Sequence, residues 1–197
     1  MSRSGPGENA ATRWFGPAFM RLHPLLQALH REGGSLQGEV AISTGRWIAG
    51  LLGRRLASKL GVPVDRPRRG FEVRIRHDDE VMVWHRRFDD GSVMSSVFRP
   101  VGRYPDGYWL EMTGPVQLKF GVDIVDGGWR WRLLGASVRG LWLPLALFPR
   151  TDAFKRIEAD GRYRFGVAFA LFPFGTLLRY EGVLEPGFAT HEQIAGS

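Results

Sequence analysis

Hydrophobic and polar residues alternate with a period of two along most of this chain, most clearly over residues 71–99. Here Phe71, Val73 and Ile75 alternate with charged residues, and polar turns at 77–80 and 89–91 interrupt the pattern. This period is typical of β-strands with one buried face, and a glycine in the second turn suits a tight hairpin. The segment therefore predicts three short antiparallel strands.

The same period continues to Leu184, with turn residues between the segments. Consecutive hairpins of this kind form a meander, which avoids exposed edges best when the sheet curls strongly or closes. Further strands are predicted over residues 108–113, 116–124, 129–137, 153–158, 162–169 and 177–184.

The N-terminal part has a helical period instead. Leucines at helical spacing between Leu22 and Leu29 predict one helix that ends at Gly33. A second stripe of apolar residues at the same spacing predicts a helix over about 46–60, with Gly61 as its C-cap. A strand over 35–43 lies between them. The predicted fold is α+β and mainly β: a strongly curved antiparallel meander, a closed or half-open β-barrel, with two N-terminal helices packed on it.

The predicted domain organisation is simple. Small and polar residues at the start predict a disordered tail over 1–12. A single β-rich domain is predicted over 13–186, followed by a second tail over 187–197. The length of 197 residues and the hydrophobic fraction of 44% suit one domain with a sizeable core.

Composition excludes some chemistry. The chain has no cysteine, so disulfides, thiolate catalysis and cysteine-based zinc sites are excluded. With no secretory signal in the sequence, a cytoplasmic location is expected. The longest apolar run, 141–148, is far shorter than the ~20 residues of a membrane-spanning helix and is interpreted as a buried strand or a loop. The net charge of +7 is interpreted as a solvated basic surface.

One strand carries a charged residue in an apolar row. Met82, Trp84, Arg86 and Phe88 share a face, and an interior Arg86 would need a partner because an unpaired buried charge is costly. That partner is either a carboxylate such as Glu111 or the anionic group of a ligand; alternatively, Arg86 lies on the wet face or in an internal salt bridge. The candidate ligand-binding residues are Trp84, Arg86, Phe88, Met94, Ser96 and Phe98.

Other polar residues give weaker indications. Residues 77–80 are interpreted as a polar hairpin tip and not as a metal site, because successive side chains in a turn diverge. His23 and His30 share one side of the first helix, and His30 either bonds within the core or lines a cavity mouth. No nucleophile elbow, dinucleotide-binding motif, P-loop or zinc-protease motif occurs. No cofactor and no metal are expected, and catalytic residues stay unknown.

Three functions remain open. The first is a module that binds a small apolar or amphipathic anionic ligand inside the barrel. The second is an acid–base enzyme of the isomerase or cyclase type, which would need a histidine or carboxylate near Arg86. The third is a surface-interaction domain that docks through residues 46–69 on a partner protein or an anionic membrane. Specific nucleic-acid binding is not expected, since no aromatic residues interleave with the basic cluster.

Motifs spread along the chain resemble a known family. They are residues 22–26 with His30, Gly38 and Gly45, then 84–88, 160–165 and 180–182. This combination, over about 19–185, resembles a bacterial domain of unknown function found alone or C-terminal to short-chain-dehydrogenase or saccharopine-dehydrogenase-like modules. The resemblance implies a self-contained module, in some cases accessory to an NAD(P)-dependent dehydrogenase, and it supplies no catalytic residues.

Overall fold

The computed structural model of the protein describes residues 8–113 and 116–187. Three α-helices occur in this part of the chain: α1 (Ala10–Phe15), α2 (Pro24–Glu32) and α3 (Trp47–Leu60). The strands are β1 (Gly34–Thr44), β2 (Arg68–His77), β3 (Met82–Phe88), β4 (Val93–Val101), β5 (Tyr108–Thr113), β6 (Val116–Val125), β7 (Gly128–Val138), β8 (Leu141–Leu143), β9 (Arg150–Ile157), β10 (Tyr163–Leu171) and β11 (Gly175–Gly187).

Ten of these strands form a closed antiparallel barrel. Its order is β1-β2-β3-β4-β5-β6-β7-β9-β10-β11, and β11 pairs with β1 again. Strand β8 pairs only with the end of β7 and lies outside the ring. The prediction of a mainly β, strongly curved meander with N-terminal helices is confirmed, and the structure selects the closed form.

The ring closes at a short seam. Strands β7 and β9 pair over four residues, from Trp129 opposite Lys155 to Arg132 opposite Asp152. Beyond Arg132, strand β7 pairs with β6 and β8 and leaves β9. Among the described residues, β7 and β9 are therefore joined by fewer residue pairs than any other neighbouring strands of the barrel.

The N-terminal helices cover one end of the barrel, through backbone bonds to three hairpins. Ala10 N donates to Asp78 O at 3.2 Å, Tyr104 N donates to Trp14 O at 2.9 Å, and His23 N donates to Gly127 O at 2.9 Å. Because these hairpins join β2–β3, β4–β5 and β6–β7, we call this the N-helix end.

Helix α1 begins inside the stretch assigned above to a disordered tail, and for residues 9–12 that assignment is wrong. The Asn9 side chain accepts hydrogen bonds from the backbone of Ala11 and Thr12 and donates to the His30 and Arg31 carbonyls. This cap satisfies the free N–H groups of the helix and ties it to the end of α2. Residues 1–7 and 188–197 lie outside the described part.

Helix α3 lies across the opposite end, which we call the α3 end. It packs on the start of β11 through small residues, Ala49, Gly50, Gly53 and Ala57, all of them buried. A Cβ atom at Gly53 would overlap the carbonyl oxygen of Leu177. The helix stops at Gly61, whose φ of 74° favours glycine.

The apolar run 141–148 is not a buried strand. Its first half is the short strand β8, and Leu141 and Trp142 are exposed on it. Strand β8 pairs with the last residues of β7 outside the ring of ten strands. Its side chains therefore do not face the barrel interior. No helix among residues 8–113 and 116–187 is long and apolar enough to cross a membrane.

Candidate functional site

The row on β3 faces the barrel interior. Met82, Arg86 and Phe88 are buried and Trp84 is half-buried, whereas His85 and Arg87 are exposed. Across the hairpin, Met94, Ser96 and Phe98 of β4 are buried as well. The alternation along β3 and β4 thus places the six candidate ligand-binding residues on the inner surface of one wall.

Arg86 is 9% exposed, and its contacts among the described residues are with neutral groups. Its Nη1 donates to Ser96 Oγ at 3.1 Å, and its guanidinium carbon lies 5.3 Å from the Trp84 ring centroid. Within the described residues, no carboxylate forms an ion pair with Arg86. A guanidinium group has five N–H donors, so most of its capacity is open to another acceptor.

Glu111 is not the ion-pair partner of Arg86. Its register opposite Phe98 and Leu118 puts it on the inner side of β5, and it is half-buried there. Burial raises the pKa of Tyr180, while the charge of Arg86 lowers it and that of Glu111 raises it. Arg86 and Glu111 therefore act on the same side chain without forming a salt bridge.

A second cationic side chain, which the sequence analysis did not select, also lies inside. Lys155 of β9 is 2% exposed, and its inward neighbours along the strand are Ala153 and Ile157. Its Nζ lies 3.6 Å from the Trp129 ring centroid and 4.4 Å from that of Trp84. The sequence gives only a weak signal for this position: Lys155 shares its strand face with Ala153 and Ile157, but the opposite face carries Phe154 as well as charged residues.

Lys155 contacts a buried histidine from the helix that covers the barrel end. Lys155 Nζ and His30 Nε2 are 2.6 Å apart, and His30 is fully buried. The His77 ring lies 5.5 Å from the His30 ring, and its Nε2 lies 3.3 Å from the Leu29 carbonyl oxygen. Because a carbonyl only accepts, Nε2 of His77 carries the hydrogen.

Burial dominates the electrostatics of this group. It lowers the pKa of Lys155 well below 10.5, and the charge of Arg86 lowers it further. Burial likewise lowers the pKa of His30 well below 6.5, with smaller contributions from Lys155 and His77. The pKa of His77 falls to about 4, chiefly through burial. All three groups are thereby biased to their neutral forms.

Several buried polar atoms around these groups have no hydrogen-bond partner among the described residues. They are His30 Nδ1, His77 Nδ1 and the indole nitrogens of Trp84, Trp109 and Trp129. Buried polar atoms are usually paired with protein groups or ordered water, so these atoms have hydrogen-bonding capacity that the described residues do not use.

A surface cleft of about 630 Å³ opens beside the seam between β7 and β9. Trp131, Leu133, Pro149 and Thr151 are among its lining residues. Trp131 belongs to both the cleft and the interior, because its ring centroid is 6.0 Å from Lys155 Nζ and it stacks on Phe98. Ion pairs of Arg130 with Asp152 and of Arg132 with Asp123 stand at the outer side of the cleft.

Of the histidines considered in the sequence, His77 differs in position from its expectation and His30 follows one of its two alternatives. His77 ends β2 and turns inward, so it is not part of a polar hairpin tip; only Asp78, Asp79 and Glu80 are exposed there. His23 caps α2 and is exposed, whereas His30 bonds within the core. Among residues 8–113 and 116–187, no cluster of histidine and acidic residues has the arrangement of a metal site.

A comparison with protein families matches residues 22–184 to a domain of unknown function, DUF4166. The match begins just before α2 and ends in the last barrel strand, β11, and it includes Arg86, Lys155 and His30. No curated protein matches the chain.

Proposed function

We propose that this chain, which belongs to the DUF4166 family of domains of unknown function, binds an amphipathic anionic small molecule inside its barrel. The observation that supports the proposal is the guanidinium group of Arg86, buried with one hydroxyl partner and no carboxylate. An anionic group would complete its hydrogen bonds and compensate its charge.

The surroundings define the kind of molecule. Carboxylates and phosphates match the planar donor fork of arginine and can bind it with two parallel hydrogen bonds. The neighbouring wall consists of Trp84, Phe88, Met94 and Phe98, which would cover an aliphatic or aromatic tail. Ser96 holds the guanidinium group in place and offers a hydroxyl to the same ligand.

A pair of matched probes tests the anchor. Decanoate and decanol share a chain length and differ in charge, and calorimetry measures the binding of each. We expect the wild-type protein to bind decanoate more tightly, and Arg86→Met to lose at least about tenfold of that affinity, or about 1.4 kcal/mol. Arg87→Met changes the exposed neighbour on the same strand and should bind like wild type.

Two results would contradict this proposal: equal binding of the acid and the alcohol, or undiminished decanoate binding by a folded Arg86→Met variant. Circular dichroism of each variant confirms that the barrel has formed. Native mass spectrometry of protein purified from its own host then identifies the natural molecule.

The same interior could serve an acid–base enzyme of the isomerase or cyclase type. That alternative needs a titratable group near Arg86, and the contact of Lys155 with His30 favours it, because both side chains are biased to neutral forms that accept protons. Solvent deuterium appearing in a bound carbonyl compound, and its loss in His30→Gln, would support acid–base chemistry.

A second candidate function is docking on an anionic membrane through the α3 end. We define the apolar end surface as the exposed side chains of Trp47, Ile48, Leu51, Leu141, Trp142 and Phe172. Trp47 is 86% exposed and Phe172 is 91% exposed. Helix α3 follows the end of β1, and the strand register puts β8 and the turn between β10 and β11 at that same end of the barrel. Single exposed apolar residues are common, but a set of aromatics at one end indicates a docking surface.

Charge favours a lipid surface as the occupant. Arg46, Arg54, Arg139 and Arg150 are exposed at or near this end, and none of them forms an ion pair in the described part of the chain. Aromatic rings flanked by free arginines match the interfacial zone of a membrane with anionic headgroups. An anionic membrane would also supply amphipathic anions to the barrel.

Vesicle flotation tests this surface. We expect binding to vesicles of phosphatidylcholine with phosphatidylserine, weaker binding to phosphatidylcholine alone, and loss of binding when Trp47→Asn and Phe172→Ser are combined. Met20→Ser, an exposed apolar residue at the N-helix end, is the matched control and should bind like wild type.

Equal flotation with and without phosphatidylserine would contradict the membrane assignment. If no vesicle binds and a dehydrogenase-type protein is instead retained through Trp47 and Phe172, the surface belongs to the protein partner that the sequence resemblance implies. A direct contact with such a partner stays a proposal that rests on the resemblance alone.

A further inference from the structure

We infer that Lys155 is an amine nucleophile that forms an imine with an aldehyde or ketone admitted to the barrel. This inference goes beyond anion binding and does not depend on Arg86. It stands on the position of Nζ, on its contact with His30 and on the cleft beside the seam.

The first argument is the hydrogen-bond geometry. Lys155 Nζ and His30 Nε2 lie 2.6 Å apart, and neither side chain has a carboxylate partner in the described residues. A hydrogen bond between two nitrogens needs one donor and one acceptor, so the pair cannot be doubly protonated. One nitrogen of the pair therefore always holds a lone pair toward the other.

The second argument is the environment of the amine. Aromatic rings of Trp129, Trp84 and Trp131 surround Nζ at 3.6, 4.4 and 6.0 Å. Removing an ammonium ion from water without a counter-charge is costly, and the cost is avoided when the amine is neutral. The pKa of Lys155 is lowered by burial and then by Arg86, in agreement with the geometry. A neutral amine is the reactive form toward carbonyl carbon.

The third argument is that His30 can move the protons of the reaction. The amine nitrogen attacks the carbonyl carbon, and the new C–N bond forms as the C=O π electrons pass to oxygen. His30 Nε2 accepts a proton from the nitrogen and gives it to that oxygen, which forms a carbinolamine. The second amine proton then passes from nitrogen to the departing hydroxyl group, which leaves as water. One amine and one carbonyl compound thus give one imine and one water.

A carbonyl compound also needs a route from the surface to Lys155 Nζ. The cleft beside the seam shares Trp131 with the ring of aromatics around Nζ, and it holds about 630 Å³. Trp131 lines the cleft and its ring centroid is 6.0 Å from Nζ, so we expect a carbonyl compound to reach the amine here when the Trp131 side chain moves. Only four residue pairs join β7 to β9, which favours local opening at this point.

The chain provides its own controls, because it contains only three lysines. Lys59 and Lys119 are more accessible than Lys155, and the position of each modified lysine is read from peptides. The folded protein is incubated at about pH 7 with butanal and cyanoborohydride, which reduces imines irreversibly, and digested for mass spectrometry. At this pH an ordinary lysine is almost entirely protonated.

We expect Lys155 to be modified at least about tenfold faster than Lys59 and Lys119, since each unit of pKa depression gives tenfold more neutral amine. His30→Gln should slow trapping at Lys155 and change its dependence on pH, while Lys59 and Lys119 react as before. Trp131→Leu should accelerate trapping at Lys155 alone.

Trapping of Lys155 no faster than the other lysines, or only after unfolding in urea, would overturn the inference and leave Lys155 as an ammonium ion held by aromatic rings. Two variants distinguish imine formation at Lys155 from anion binding at Arg86. Arg86→Met should lose decanoate affinity and still trap butanal at Lys155 faster than at Lys59 and Lys119, although more slowly than wild type because a charge that lowers the pKa of Lys155 is gone. Lys155→Met should lose trapping and keep decanoate binding.

Discussion

Two basic side chains, Arg86 and Lys155, reach the same aromatic interior, and their chemistry separates their roles. A guanidinium group keeps its proton under all ordinary conditions, so Arg86 needs a negative partner. A primary amine can lose its proton, and burial beside another cation drives Lys155 to do so. One residue is thus suited to hold an anion and the other to react as a base or nucleophile.

The neutral state of Lys155 has a thermodynamic signature. In the unfolded chain Lys155 binds a proton below its ordinary pKa of 10.5, whereas the folded protein favours the free amine. Unfolding therefore takes up a proton, and the stability of the wild-type protein rises with pH up to that value. Relative to Lys155→Met, the wild type should gain up to about 1.4 kcal/mol per pH unit as the pH rises toward 10.5, over the interval in which the folded amine is neutral and the unfolded amine is protonated.

Urea unfolding of both proteins at several pH values measures this difference. The charged or titratable groups that face Lys155 are His30 of α2, His77 of β2 and Arg86 of β3. The two histidines do not change charge in that interval, because burial lowers the pKa of both below 6.5. A guanidinium group is always protonated in proteins. Parallel stability curves for the two proteins would show that Lys155 keeps its proton when folded.

At this scale the sequence was informative about Arg86 and Ser96 and not about the contact of Lys155 with His30. The period of two along β3 and β4 was sufficient to place Arg86 and Ser96 on one face, because that face is decided by local alternation. The contact of His30 with Lys155 joins residues 125 positions apart. Nothing in the local pattern of either segment specifies that α2 covers the barrel end beside β9.

Helix α3 shows how an element can depend on residues that weaken it locally. Gly50 and Gly53 each lower helix propensity by about 1 kcal/mol relative to alanine. In the structure they form the surface on which the helix approaches β11, and a side chain at Gly53 would overlap the Leu177 carbonyl oxygen. Close approach to the barrel outweighs the local cost.

Gly53→Ala should therefore destabilise the protein, although the same change stabilises most helices. We expect a loss of about 2 kcal/mol or more, because the overlap involves backbone that cannot move without disturbing β11. Ser58→Ala is the control: Ser58 is exposed on the same helix, and its replacement should raise stability by a few tenths of a kcal/mol. Thermal unfolding measures both, and a gain in stability from Gly53→Ala would refute this packing.

Elements with a clear period were the ones that the sequence could predict. The hairpins and helices α2 and α3 follow from alternation, stripes and capping residues. Helix α1 has only six residues, too few for a stripe, and depends on the long-range bonds of Asn9 to α2. Strand β8 pairs with the end of β7 outside the ring, and its Leu141 and Trp142 side chains are exposed, although an apolar run usually indicates a buried segment.

At the scale of the whole molecule, the two ends of the barrel differ in structure. Helices α1 and α2 cover one end and deliver His30 to the interior, while α3 leaves an exposed apolar surface with free arginines at the other. Closure itself was one of two outcomes that the strand pattern allowed. It depends on the pairing of β7 with β9, which skips β8 and has no local sequence signal.

The crowding of indole rings around Lys155 gives the protein an optical consequence. Trp129 and Trp131 lie 5.0 Å apart at 52°, and Trp109 lies 6.0 Å from Trp129. Chromophores at such separations couple their electronic transitions, and a nearby amine or imidazole alters their emission. The interior therefore reports its own protonation and occupancy through circular dichroism and fluorescence, with no label added to the chain.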